Sequence, residues 1–261
     1  MVVIAILLLP NQGGLLAMQE KPKFYQLTFQ TENVTGQITI NGFVMTEMDG
    51  KTGNGAAALN PWLIGENELK AEVTKADPSK PAELIFGVSV VEQGDIISTM
   101  DKGKVFSLEL KNKDFSANGK ASAAKKFKST LDFKRQLSEG GQAKESDILA
   151  YAQKVYALFA KRDAEGILRE SEARINDYSK AFGGVDMKTE MRRYLTEELF
   201  KVKLNMLNPA ALRTVAVGPN KTIWHVFNGK EELISAKSPD GSILEMRVYI
   251  GLLDGKLKVV R

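Results

Sequence analysis

Apolar and polar positions alternate through much of the first half of this chain. In the stretch FYQLTFQ, Tyr25, Leu27 and Phe29 share one face while Gln26, Thr28 and Gln30 share the other. VFSLEL repeats the pattern with Phe106, Leu108 and Leu110, and FKSTLDF with Phe127, Leu131 and Phe133. Successive side chains on a strand point to opposite faces, so this period predicts strands with one face on a core. GQITINGFVM, NELKAEVT and AELIFGVSVV extend the series, with turns at Asp49-Gly50, Asn54-Gly55 and Asp77-Pro78. About six or seven such strands without a helical stretch predict an all-β sandwich.

The period changes near residue 140. SDILAYAQKVYALFAKRD places Ile148, Tyr151, Val155, Leu158 and Phe159 on one helical stripe, with Ser146 or Asp147 as N-cap. Asp163 then caps AEGILRESEARINDYSKAF, whose apolar face is Leu168, Ile175, Tyr178 and Phe182 and which stops at Gly183-Gly184. TEMRRYLTEELF predicts a third, shorter helix. After Asn208-Pro209 the pattern returns to strands: LRTVAVG, TIWHVFN, EELISAK, ILEMRVYIGLL and KLKVVR. Their turns fall at Gly218-Pro219, Asn228-Gly229, Asp240-Gly241 and Asp254-Gly255. The predicted architecture is therefore multidomain: an all-β sandwich over residues 18–137, a polar linker over 138–145, and an α+β domain over 146–261 in which helices precede an antiparallel sheet. Ahead of these, Val2 to Leu9 form an apolar run stopped by Pro10, with small residues near Ala17. That reads as an export signal over residues 1–17, short of a membrane span and without a basic start, and it predicts a periplasmic or secreted protein.

Two resemblances follow from these patterns. ITINGFVM, a glycine-containing loop and LNPWLIGENELKAEVT resemble immunoglobulin-like or galactose-binding-like sandwiches, which implies a turn at Gly65 and a core face of Leu69, Ala71 and Val73. In the second half, helices ending in LFAKRDAEGIL and a last hairpin YIGLLDGKLKVVR resemble the NTF2-like (SnoaL-like, cystatin-like) superfamily. That resemblance implies a curved sheet wrapped on a long helix as a cone, open as a pocket in many members. It also implies either an Asp-His pair for lyase or isomerase chemistry, or plain ligand binding, or dimerisation through the sheet.

Composition narrows the chemistry. The chain has no cysteine and one histidine, which removes disulfides, thiolate sites and thiol nucleophiles and would leave a zinc or iron centre to draw almost all its ligands from carboxylates, so no cofactor or metal is expected. The net charge of +4 belongs wholly to the second half, and basic residues are interspersed with acidic ones, so no nucleic-acid partner is expected. Lysines 102, 104, 111, 113, 120, 125, 126 and 128 make one stretch of the first half basic, which reads as edge protection or as an anionic contact. Trp62 reads as a buried plug or a sugar-stacking platform, and Asn33-Val34-Thr35 fits a glycosylation triplet.

The chemistry-bearing candidate is His225 in KTIWHVFNG. Alternation puts Ile223, His225 and Phe227 on one face, read as the helix-facing one, and Trp224 on the other. The imidazole there is either a base or ligand anchor, or a satisfied core or rim residue. Asp177, Asp186 and Glu190 are the carboxylates considered to orient it, and their spacing selects none. In SILEMRVYIG, Leu244, Met246, Val248 and Ile250 read as inward and Glu245, Arg247 and Tyr249 as outward. The expectation is a non-catalytic exported protein holding a small apolar ligand or an envelope protein in the cone or between domains, with His225, Phe227 and Tyr151 lining the site. Trp224 and Arg247 are the expected interface residues, with a homodimer through the C-terminal sheet as one form of it. The alternative is a small-molecule lyase or isomerase with His225 as base.

Overall fold

In the first half the alternating segments form antiparallel strands in a computed structural model, which describes residues 23–92, 103–238 and 241–261. The export signal of residues 1–17, Lys102 and Asp240 lie outside the described residues. The strands are β1 (Lys23–Glu32), β2 (Val34–Ile40), β3 (Phe43–Asp49), β4 (Gly53–Ala58), β5 (Ile64–Lys75), β6 (Glu83–Glu92), β7 (Lys104–Leu110) and β8 (Lys120–Asp132). They make two four-stranded sheets, ordered β4-β1-β6-β7 and β3-β2-β5-β8. Leu27, Leu84, Phe86 and Val88 from the first sheet and Ile38, Ile40, Leu69, Ala71 and Val73 from the second share one apolar core. Strand β5 buries alternate positions, whereas β1, β2 and β6 are each buried over three or four successive residues.

Three buried amides fix the corner between β3 and β5. Asn67 Oδ1 accepts from Ile64 N and Asn41 Nδ2, Asn41 Nδ2 also donates to Trp62 O, and Asn60 Oδ1 accepts from Tyr25 N. Gly65 takes φ 78° in this turn, a conformation that favours glycine. Trp62 packs against Phe43 at 5.1 Å between ring centres and against the core, so it serves as part of the plug. Asn33 at φ 52° donates to the carbonyls of Asp77, Lys80 and Pro81, so the amide of the glycosylation triplet is spent on holding a loop. On β8, Lys128 and Lys126 stand opposite Glu66 and Glu68 of β5, and Lys128 pairs with Glu66 at 3.0 Å. The basic stretch is matched there by acidic neighbours.

Phe133–Arg261 pack as a second unit, the division falling between Asp132 and Phe133. It comprises α1 (Lys134–Leu137), α2 (Glu145–Ala160), α3 (Ala164–Glu170), α4 (Glu172–Ala181), α5 (Met187–Glu197), β9 (Leu212–Val217), β10 (Ile223–Asn228), β11 (Glu231–Glu232), β12 (Ile234–Lys237), β13 (Ile243–Met246), β14 (Tyr249–Leu253) and β15 (Lys256–Val259). Strands β11-β10-β14-β15 form a sheet with β9 on the free side of β10, and β12 pairs with β13. Ile148, Ala152, Val155 and Phe159 from α2, Ile167 from α3 and Leu195 from α5 meet Trp224, Val226, Ile250 and Val259 in one core.

Four local readings are corrected. The segment read as linker is tied down: α1 precedes it, Gly141 N donates to Leu252 O, and Ser138 O accepts from Asn220 Nδ2. Gly141 packs closely there, since a Cβ on it would come within 2.9 Å of the end of the Leu252 side chain. Helix α2 begins one residue before the expected caps, with Lys144 at the N-cap position and no side-chain cap. The long helix after Asp163 breaks at Ser171, which leaves the helical region at ψ 9° and redirects the chain from Ile167 in the core to Asp177, paired with Arg261. The long last-but-one strand splits into β13 and β14 at Arg247 and Val248, because its halves pair with different neighbours.

Candidate functional site

Strand β10 is buried along Ile223–Val226 on both faces, and that is why alternation could not say which face meets the helices. Trp224 and Val226 face the helices, and Trp224 is 7% exposed inside that core. It is therefore core, and the interface role expected for it is not available. His225 and Phe227 lie on the opposite, outer face. Tyr151 packs on the helix side, its hydroxyl donating to Glu170 Oε2 at 2.7 Å, so the expected trio of His225, Phe227 and Tyr151 does not come together.

On the outer face, register sets two rows. Val215, His225 and Tyr249 sit side by side on β9, β10 and β14, and Arg213, Phe227 and Glu232 on β9, β10 and β11. The side chains stack across them. The Arg213 guanidinium lies 4.0 Å from the Phe227 ring centre, Phe227 4.0 Å from the imidazole, and the imidazole 4.4 Å from Tyr249 in stacked geometry. Such contacts combine cation–π and aromatic packing.

Glu232 closes the arrangement. Its Oε2 lies 2.7 Å from His225 Nε2, and Oε1 lies 3.5 Å from Arg247 Nε. In a neutral ring Nε2–H donates to the carboxylate and leaves Nδ1 as acceptor. Burial first, and the Glu232 charge after it, push the ionisation of the Tyr249 hydroxyl well up against the pull of Arg247, so that tyrosine stays neutral. His225 is 6% exposed and Tyr249 1%, so the ring edge has little room to meet a substrate. Arg213 and Val215 are exposed, the latter at 41%, and Phe227 is half-buried.

The carboxylates considered for His225 are engaged elsewhere. Asp177 pairs with Arg261, and burial pushes its carboxyl up against that guanidinium's pull. Asp186 caps α5 through Thr189 N and Oγ1, and Glu190 pairs with Arg193. Glu232, the carboxylate that does reach the imidazole, was missed. The Asn228-Gly229 turn carried its signal, because a tight hairpin returns Glu232 opposite Phe227, diagonal to His225.

The recess lined by Val155, Phe159, Ile167, Glu170, Met246 and Val259 does not admit a water-sized sphere. At its edge Glu170 accepts from Tyr151 and from Lys154 Nζ, the latter at 2.7 Å. Burial raises the Glu170 carboxyl, but those hydrogen bonds outweigh it and hold the group below its ordinary value. Among the described residues no group of three histidine, aspartate or glutamate side chains is placed to hold a metal ion. What the fold and site define is a mixed α/β protein of antiparallel sheets and helices with an aromatic–arginine stack on one sheet face. No family model, no curated protein and no solved structure matches the chain.

Proposed function

We propose that this chain is a non-catalytic interaction protein that takes an acidic protein segment on the outer face of the β9–β10–β14 sheet. In this reading the first unit is a β-sandwich, the second an NTF2-like α+β cone whose interior is filled with its own side chains, and the protein works in the cell envelope or outside it. The observation that carries the reading is the contrast between the two faces of β10. The recess among Val155, Phe159, Ile167 and Met246 on the helix side does not admit a water-sized sphere, while the outer side presents Arg213, Val215 and Phe227 on a braced stack with Arg247 beside it. Arginine and aromatic anchors held rigid before contact suit a protein interface, because little side-chain freedom remains to be lost on binding.

Two titrations on the full chain test this. Neither 1-anilinonaphthalene-8-sulfonate nor a fatty acid should bind saturably. A labelled peptide of alternating Glu and Leu should bind, and Arg213→Glu with Arg247→Glu should weaken it roughly ten-fold or more. Saturable fatty-acid binding that changes Trp224 fluorescence would overturn the filled-core reading. Peptide binding untouched by the double charge reversal would overturn the outer face.

A second reading, His225 as a general base, gains one observation: Glu232 supplies the orienting carboxylate that such a base needs. Against it stand the burial of the ring and the aromatic contacts on both its sides. The enzyme reading requires that His225→Ala abolish turnover while leaving the fold intact.

A further inference from the structure

Outside that face, one side chain is displayed in a way its surroundings do not explain by packing. Met206 is 81% exposed in the segment between α5 and β9, the most exposed of the large hydrophobic side chains among the described residues. Its backbone is held on both sides. Asn205 N donates to Ser235 O, Asn205 O accepts from the Tyr156 hydroxyl, and Asn205 Nδ2 donates to Glu231 Oε2 at 2.8 Å and Ser235 Oγ at 2.9 Å. On the other side Leu207 N donates to the same Tyr156 hydroxyl, and Asn228 takes both Met206 O and Asn208 N. Tyr156 from α2 and Asn228 from β10 thus brace the segment from two elements, and the thioether projects from fixed backbone into solvent. The other described methionines are covered: Met48 is 7% and Met246 8% exposed, and Met45, Met187 and Met191 are partly buried.

We propose that Met206 is a methionine-sulfoxide modification site for peroxide-class oxidants, one that changes the surface without opening the fold. A sulfur lone pair attacks one peroxide oxygen, the S–O bond forms as the O–O bond breaks, and the proton on the oxygen now bound to sulfur passes to the departing hydroxide, giving sulfoxide and water. Sulfur is oxidised by two electrons and the peroxide is reduced by two. Reactivity follows access to the sulfur, and the product replaces a flexible apolar side chain with a polar one. At Met246 the same change would force a polar oxygen into the helix–sheet core, so it needs prior opening. At Met206 the new oxygen stays in water and the hydrogen bonds of Tyr156 and Asn228 are untouched. Oxidation there turns an exposed apolar side chain into a polar one on a loop whose backbone stays braced.

The test uses the full chain with hydrogen peroxide at neutral pH, quenched with free methionine and mapped by peptide mass spectrometry over time. The Met206 peptide should gain one oxygen several-fold faster than the peptides holding Met48 and Met246. Protein oxidised at Met206 alone should melt at the untreated temperature, and Met206→Leu should leave the Met48 and Met246 peptides oxidising at their slow rates. Equal oxidation rates at Met206 and Met246 would overturn the exposure argument. A lower melting temperature on oxidation of Met206 alone would overturn the claim that the fold is indifferent to it.

Discussion

Replacing His225 by alanine tests the interior reading of the outer face most sharply. The change removes a ring packed at 4.0 Å on Phe227 and 4.4 Å on Tyr249, and it strips Glu232 of its 2.7 Å partner. Glu232 is 9% exposed, and what remains to it is Arg247 at 3.5 Å, so the carboxylate is left poorly satisfied. A buried acceptor deprived of its partner costs about 1–3 kcal/mol, and lost aromatic contacts add about 0.5–1.5 kcal/mol. Together these set an expected loss of roughly 2–4 kcal/mol, a large part of the stability of an ordinary domain. The assay is urea unfolding of the second unit, followed by tryptophan fluorescence in a Trp62→Phe background. The chain has two tryptophans, so Trp224 on the reverse of the same strand then reports alone. Replacing both partners, His225→Phe with Glu232→Leu, should recover most of the loss, because an apolar pair leaves nothing unsatisfied. The reasoning fails if His225→Ala unfolds at the parent urea concentration, or if the double replacement is worse than the single one.

Three further outcomes follow from the geometry. Gly36→Ala should destabilise the first unit by roughly 1–3 kcal/mol in chemical unfolding, since its φ of 134° excludes ordinary side chains and a Cβ would lie 2.2 Å from Glu72 O. Lys128→Ala should change stability by less than about 1 kcal/mol, because its ion pair with Glu66 is solvent-exposed and screened. Glu170 holds its proton less tightly folded than an unfolded glutamate at its ordinary 4.5, so its contribution is fully present above that pH and is lost as pH falls through the lower folded value. Glu170→Gln should accordingly flatten the acid limb of a stability-against-pH curve measured by thermal melting.

Much of the secondary structure was legible because it rests on local chemistry. The alternation of Tyr25, Leu27 and Phe29 buried those residues, and the stripe of Ile148, Val155 and Phe159 became the inner face of α2. Asp163 capped its helix as expected, accepting from Gly166 N at 2.9 Å. The break at Ser171 was not legible, because Leu168, Ile175 and Phe182 keep one helical stripe while the chain around them answers to two different neighbours. Nor was the division of β13 from β14 legible, since an unbroken apolar–polar pattern says nothing about a change of pairing partner.

The candidate site divides the same way. His225 and Arg247 could be named as candidates from residue type alone. Which way they point could not, because Ile223, Trp224, His225 and Val226 are buried in succession and a strand covered on both faces carries no in–out signal. By itself the sequence determined the two periodicities, the turns that separate their segments, and the exclusion of thiol chemistry that follows from having no cysteine. Only the tertiary structure decided that Glu232 meets His225, that Trp224 belongs to the helix core, and that Arg213 stacks on Phe227. Those contacts join β9, β10, β11 and β14, and register between strands is settled by the burial of a whole face, which no short stretch of sequence contains.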